Sequence, residues 1–358
     1  MLRHTIKMGD YWSIIENLIP EDLMSKTNMR DAKTLSKIFD EELTNFLGFE
    51  TPLDNRKKAR NDWSFAISCA NRDRQTFYDF LVKKLDKEYK QDSIWKNITS
   101  FSKEWLDKES LLFNKLLGFW LEFDLPIEKY PVTPSVFFGP KKTQDFDWIV
   151  DYALPLLTGN PVEESHKKNF EKCYLALPQK SHAYQIGTML GRPSKGIRIV
   201  INHLNSEFSK YLQEIGLYKQ NQSIEALLTD LESLCDRLVL HFNIGEIIGP
   251  DIGIECSFNP SLFHREKRWK ELFEYLVEKG MCTQKKKNSL LRFPQLVTEV
   301  KNDDFWPKNL KKISKTNMPD NYSSIVTYIS HVKVTVHSDG TLTSKAYLGA
   351  KHFWLPRD

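Results

Sequence analysis

What most constrains the fold of this chain is a set of short segments in which apolar and polar residues alternate, each flanked by helical sequence. The clearest are Trp120–Leu125, Gly196–Leu204, Arg237–Ile244, Ile252–Asn259, His331–His337 and Ser344–Lys351. Successive residues of a strand point to opposite faces of its sheet. Ile197, Ile199 and Ile201 therefore share one face, and Arg198, Val200 and Asn202 the other. The same split sets Val332, Val334 and Val336 against His331, Lys333, Thr335 and His337. It also sets Ile252, Ile254, Cys256 and Phe258 against Gly253, Glu255, Ser257 and Asn259. One face needs helices packed on it, and the other is where chemistry can reside.

Between the strands the spacing of apolar residues predicts helices. They are Asp31–Leu47 with Gly48 as its stop, Arg74–Leu85, Glu109–Leu117, Phe146–Leu157 and Glu164–Leu177. Further on come Ser206–Ile215 with Asn205–Ser206 as N-cap, Ile224–Cys235, Arg265–Glu278, and helical material between Lys287 and Ile329. Strands are also expected at Trp63–Cys69, Ser135–Gly139 and His182–Leu190, and Ser338-Asp339-Gly340 reads as a tight hairpin turn. The order helix, strand, strand, helix recurs about five times, so one supersecondary unit is reused. A strand pair with helices on a single face cannot bury itself alone. Joined antiparallel, about ten such strands twist strongly, and closure into a barrel removes the exposed edges. The expected fold class is α+β: repeated αββα units forming an antiparallel, about ten-stranded β-barrel ringed by helices. Residues 1–30 read as an N-terminal extension and 31–358 as a single barrel domain. An open sheet with a wetted polar face would also alternate. Against it, Trp120, Phe137, Tyr184 and Tyr347 share the polar facing of Glu122, Arg198 and Lys345, and a solvated face carries fewer large aromatics.

With 41% apolar and 27% charged residues in 358, the chain is an ordinary globular protein. A net charge of +4 gives no electrostatic case for nucleic acid, and the basic stretches Lys285–Lys287 and Lys308–Lys315 read as solvated helix surface. No apolar run approaches the ~18 residues of a membrane span, and the first ten residues lack a signal-peptide core. Cysteines 69, 173, 235, 256 and 282, scattered and without a CxxC, read as reduced thiols in a cytoplasmic protein. The turn Gly191–Gly196 lacks the spacing of a phosphate loop and reads as a hairpin.

On this pattern the chain resembles the aromatic prenyltransferases with the αββα ("ABBA") barrel, especially their indole branch. Lys345-Ala-Tyr347 after a tight turn looks like that family's Lys-x-Tyr strands, and His331-Val-Lys333 resembles another basic strand. Leu121–Leu125 followed by PSVFFGP resembles a strand pair of the type, and Thr51–Asp54 with Trp63-Ser64 is faintly like the first hairpin. Phe137-Phe138 stands where a Lys-x-Tyr is expected, and no single residue matches the family's catalytic Glu. The resemblance implies transfer of an allylic prenyl group from its diphosphate to an aromatic small molecule or a peptide side chain, without essential Mg²⁺ or another cofactor.

The residues fit that chemistry. An allylic diphosphate carries about three negative charges and must be held by several Lys or Arg donors. Arg198, Lys333 and Lys345 are expected to converge from three strands. The allyl cation needs a dry aromatic wall, for which Trp120, Tyr184 and Tyr347 stand ready. A base must take the acceptor's proton, and Glu122, Asp124, Glu255 and His241 are candidates, Glu122 and Glu255 first. Glu255 read blandly pairs with Arg198 or Lys333, and His241 read blandly is a satisfied interior histidine. Metal-dependent prenyl chemistry would use a DDxxD helix; Asp303-Asp304 continues as Phe-Trp and reads as a turn. The alternatives are a non-catalytic barrel binding a peptide or hydrophobic metabolite, and an enzyme of other chemistry, such as a cyclase or hydrolase, on the same barrel.

Overall fold

The computed structural model describes residues 6–40, 43–55, 60–142, 145–192, 196–204, 207–217 and 221–357. Eleven strands are present among them: β1 (Phe46–Pro52), β2 (Asn61–Ser68), β3 (Leu116–Leu125), β4 (Ser135–Pro140), β5 (His182–Met189), β6 (Ile197–Asn202), β7 (Arg237–Ile244), β8 (Ile248–Ser257), β9 (Gln295–Thr298), β10 (Asn321–Val336) and β11 (Leu342–Pro356). Each of β1 to β8 pairs antiparallel with the next, β8 pairs with β10, β10 with β11, and β11 returns to β1. The ring is a closed ten-stranded antiparallel barrel with helices around it, as the alternation demanded. Strand β9 lies outside the ring, against the overhanging first half of β10.

The outward face is the apolar one. Ile199, Ile201, Val332, Val334, Ile252 and Ile254 are all buried. The helix Ser93–Leu106 shows how they are covered. Asp92 caps it, accepting from the Ile94 and Trp95 amides at 2.9 and 3.2 Å. Its Phe101 then packs 5.2 Å from Phe119 of β3 and 5.8 Å from Phe138 of β4. Phe39 plays the same part for Trp63, Phe65 and Phe123. The helix Met8–Ile15 buries Tyr11, Trp12, Ile14 and Ile15, and Tyr11 stacks on His352 of β11 at 4.8 Å. Among the described residues no helix is long and apolar enough to cross a membrane.

Several elements differ from the sequence expectation, and the helical material expected between Lys287 and Ile329 is interrupted by β9 and ends before β10 begins at Asn321. The helix expected to reach Leu47 is Lys26–Ile38, and Phe46–Pro52 is a strand in which Leu47 and Phe49 alternate with Gly48 and Glu50. A dense apolar stretch satisfies helical and strand spacing alike over so short a window. The helix expected at Glu109–Leu117 is instead Ser93–Leu106, and β3 already starts at Leu116. The helix expected from Arg265 begins at Trp269. The Asn205–Ser206 cap lies outside the described residues.

Candidate active site in the barrel lumen

The inward faces enclose a cavity of about 560 Å³. Nine of the residues singled out from the sequence line it, namely Glu122, Glu255, His241, Arg198, Lys333, Lys345, Tyr347, Trp120 and Tyr184, whereas Asp124 does not. Its walls differ in character. On β3, β4 and β5 stand Trp120, Phe137 and the half-exposed Tyr184. Phe137 lies flat over Gly187 of β5, where a Cβ would fall 2.2 Å from its ring, so glycine there is what lets the aromatic recline. Opposite, on β1, β10 and β11, the wall is ionic.

Its centre is Glu50, which the sequence analysis did not single out. Lys345 donates to its Oε1, Tyr347 also bonds to it, and the Lys333 ammonium stands 4.0 Å from its Oε2. Burial pushes the Glu50 carboxyl up, but the two lysine charges and these bonds outweigh burial and leave it well below the ordinary range. Lys333 in turn donates to the Tyr347 hydroxyl and lies 4.9 Å from the centre of its ring. Burial lowers the Lys333 ammonium to about 8 despite the pull of Glu50. Lys345 is raised, because Glu50 and Asp62 outweigh its burial. His331 stacks on Tyr347 at 4.1 Å, with Nε2 3.8 Å from Glu255. The expected pairing of Glu255 with Arg198 or Lys333 is thus replaced by an approach to His331, although Glu255 sits directly across from Lys333 in register.

At the hairpin end of the barrel, Arg192 of the β5–β6 turn reaches over the opening. It clamps Asp124 through two bonds, the Nε–Oδ2 one at 3.1 Å, and stands 3.5 Å from Asp62 and 3.9 Å from Glu122. Burial, together with the Glu50 and Glu122 charges, pushes Asp62 well above the ordinary carboxylate range, and it bonds to Asp124. Glu122 is raised by burial and by Glu50, against the pull of Arg192, Lys333 and Lys345. Of the sequence candidates for base, then, Asp124 is committed to Arg192, while Glu122 keeps a carboxyl turned into the lumen.

Arg198 has no carboxylate partner among the described residues; its Nε donates to Asn243 at 2.7 Å and Nη2 meets the Met189 sulfur at 3.5 Å. Burial lowers its pKa, though Tyr347 and Glu122 oppose this. His241 packs over Gly253, where a Cβ would overlap its ring at 1.7 Å. Burial first, then Lys333 and Arg198, hold it well below the usual histidine range, so it is neutral. At the other end of β7, Arg237 lies 5.6 Å from the Tyr184 ring and donates to Asn202 at 3.0 Å. The arrangement offers an anion site at Arg198 and Lys333, an aromatic wall facing it, and carboxylates between.

No protein-family model matches the sequence, and no curated protein does. Solved structures do resemble it. The prenyltransferase PriB, solved as a ternary complex with L-tryptophan and dimethylallyl thiolodiphosphate, gives a TM-score of 0.52 at 10% identity, with 96% of each chain covered. AnaPT from Neosartorya fischeri gives 0.49 at 12% identity, covering 98% of this chain and 94% of the other. A 6-dimethylallyl tryptophan synthase gives 0.46 at 10%, covering 84% and 80%. The closed ring of β1 to β8, β10 and β11 thus has the fold of PriB, the αββα barrel expected from the strand pattern.

Proposed function

We propose that this protein is an alkyl transferase that moves an allylic prenyl group from its phosphate ester to an aromatic acceptor, a small molecule or a peptide side chain. The observation that carries this reading is the lumen itself: Arg198, Lys333 and Lys345 meet there from three strands, facing Trp120, Phe137 and Tyr184. The aromatic acceptor and allylic donor named for PriB are the classes carried over. Ionisation of the donor puts positive charge on the allyl group and negative charge on the leaving group. The cationic pair takes the second, and the aromatic wall shields the first from water. A carboxylate then accepts the proton lost by the acceptor ring. Glu122 is the first choice, because its raised pKa brings basicity closer to neutrality than that of Glu50. Glu255 is the second. Metal independence belongs to the same reading: Lys and Arg do the work of a divalent cation, and Asp303–Phe305 is one 3₁₀ turn with Asp303 paired to Lys311 at 2.7 Å.

A second reading, a non-catalytic barrel for a peptide or hydrophobic metabolite, draws on one observation: Lys333 and Lys345 already have Glu50 between them. Thermal-shift titration with dimethylallyl and geranyl phosphate esters, against inorganic phosphate and pyrophosphate, separates the two. The transferase reading expects the esters to stabilise more than the inorganic anions, and mass spectrometry to find a prenylated product with an aromatic acceptor. Failure of both leaves the binding protein.

A further inference from the structure

The lumen face does not stop where the ring of strands stops. The hairpin turns lie at the end that Arg192 spans, and Phe46, the first residue of β1, lines the lumen at the opposite end. There β10 and β11 overrun the ring. Strand β8 meets β10 only from Val332 onward, and β1 leaves β11 at Lys351, so residues 321–330 and 352–356 project beyond it. At about 3.3 Å per residue the projecting part of β10 is on the order of 30 Å long.

Alternation carries the lumen face outward along β11 from Tyr347 through Gly349 and Lys351 to Phe353. A Cβ on Gly349 would stand 2.7 Å from Cζ of Tyr328 and 3.0 Å from Cε2 of Phe46, so glycine lets these two rings share one surface. Phe263, from the segment after β8, stands edge-on to Tyr328 at 4.9 Å. The three rings form a shelf that runs out of the lumen, and its outer part is left uncovered. Phe263 is 41% exposed beside Leu262 at 43%, and Leu296 of β9, opposite Val326, is 40% exposed. Phe263 also holds a φ of 51°, in the left-handed region that a bulky side chain rarely adopts. Strain of this kind persists where the surroundings hold a residue in place, and here it holds an aromatic ring outward.

A free aromatic acceptor would fill the lumen and leave this shelf bare, whereas the shelf has the length and the apolar surface to hold an extended chain. We propose, on the prenyl-transfer reading above, that the shelf is a docking groove for an acceptor peptide. The aromatic residue of the peptide enters the lumen past Phe46, and the apolar residues beside it lie extended along Tyr328, Phe263 and Leu296.

The test is fluorescence anisotropy of the whole protein with labelled, end-blocked hexapeptides that carry one central tryptophan or tyrosine among leucines, and with the same peptides carrying glycine in place of leucine. Mass spectrometry of each mixture with dimethylallyl and geranyl diphosphate runs alongside. The leucine peptides should bind about tenfold or more tightly than the glycine ones, and Phe263→Ala should remove most of that difference, the scale of one lost aromatic anchor. Leu175→Ser, a change at a 66% exposed position on the helix Glu164–Leu175, should leave both peptides as in the parent. Equal binding of the two peptide types, or equal losses in Phe263→Ala and Leu175→Ser, overturns the groove and leaves prenyl transfer standing. So does a parent dimer in sedimentation that Phe263→Ala disperses, which gives the shelf to a second copy of the chain. A geranyl diphosphate affinity that falls in Phe263→Ala while peptide binding stays unchanged overturns it too, and gives the shelf to the prenyl tail. Leucine-peptide binding that depends on Phe263 but yields no prenylated product sustains the groove and removes the transferase.

Discussion

The pH dependence of stability isolates Lys333 and tests the electrostatics on which the lumen's chemistry rests. In the folded protein its ammonium is lowered from 10.5 to about 8. Burial is the main cause; Glu50 opposes it, and Lys345 and Arg198 reinforce it. Between about 8 and 10.5 the unfolded chain still holds a proton that the folded chain has released. Stability therefore rises with pH across that window. Below 8 both states are charged and the full penalty is present. A fall from 10.5 to about 8 corresponds to about 3 kcal/mol. Lys333→Met keeps the buried stem and removes the titration. Urea unfolding of both proteins from pH 7 to pH 10.5 should show the parent gaining about 3 kcal/mol on the variant across the window. Parallel curves would refute the placement of a strained ammonium beside Glu50. The same proton governs anion binding with the opposite sense, so affinity for a phosphate ester should decline as pH rises through about 8.

Three further outcomes follow from the facing of the strands. Ile199→Asp should abolish folding by circular dichroism, because Ile199 is fully buried against the helix layer, whereas Arg198→Gln should fold and lose about 1.5–3 kcal/mol of phosphate-ester affinity in titration. Glu122→Gln should keep donor binding while turnover drops by roughly 10²-fold or more. Should Glu122→Gln, Glu255→Gln and Glu50→Gln all turn over like the parent, His241 becomes the remaining base. Gly187→Ala places a methyl 2.2 Å from Phe137 and forces that ring off the wall. Overpacking of this kind should lower stability by about 1–3 kcal/mol in urea melts and change acceptor preference more than donor affinity.

Much of this fold can be read from the chain because each strand's facing is a local property. Arg237–Ile244 has the bounds its alternation suggests, and Arg198, Lys333, Lys345, Glu122 and Glu255, chosen for the polar face, all line the lumen. Facing does not, however, reveal boundaries where both readings fit. Leu43, Phe46 and Leu47 carry a helical spacing, and accepting it hid the inward position of Glu50. Nor does it reveal length: β10 and β11 run to 16 and 15 residues, and the buried polar Ser323, Ser324 and Thr327 break the alternation that would have marked the first half of β10. Arg192 was invisible for another reason. A turn residue has no facing until the turn folds back across the barrel's end.

What facing withholds above all is pairing, yet one pairing was within reach. The Ser338-Asp339-Gly340 turn closes with His337 donating to Thr341, and counting outward from that turn sets Lys333 directly opposite Lys345. Both point into the lumen. Two like charges facing each other across adjacent strands repel, and inside a barrel they do so with little water between them. A stable protein must then bring a carboxylate to the pair from a third strand. The strand beside β11 in the closed ring is β1, and its inward carboxylate is Glu50, held by Lys345 and close to Lys333. Closure of the barrel and neutralisation of the lysine pair are thus one requirement: an open sheet ending at β11 would leave Lys333 and Lys345 without the neighbour that makes their apposition tolerable.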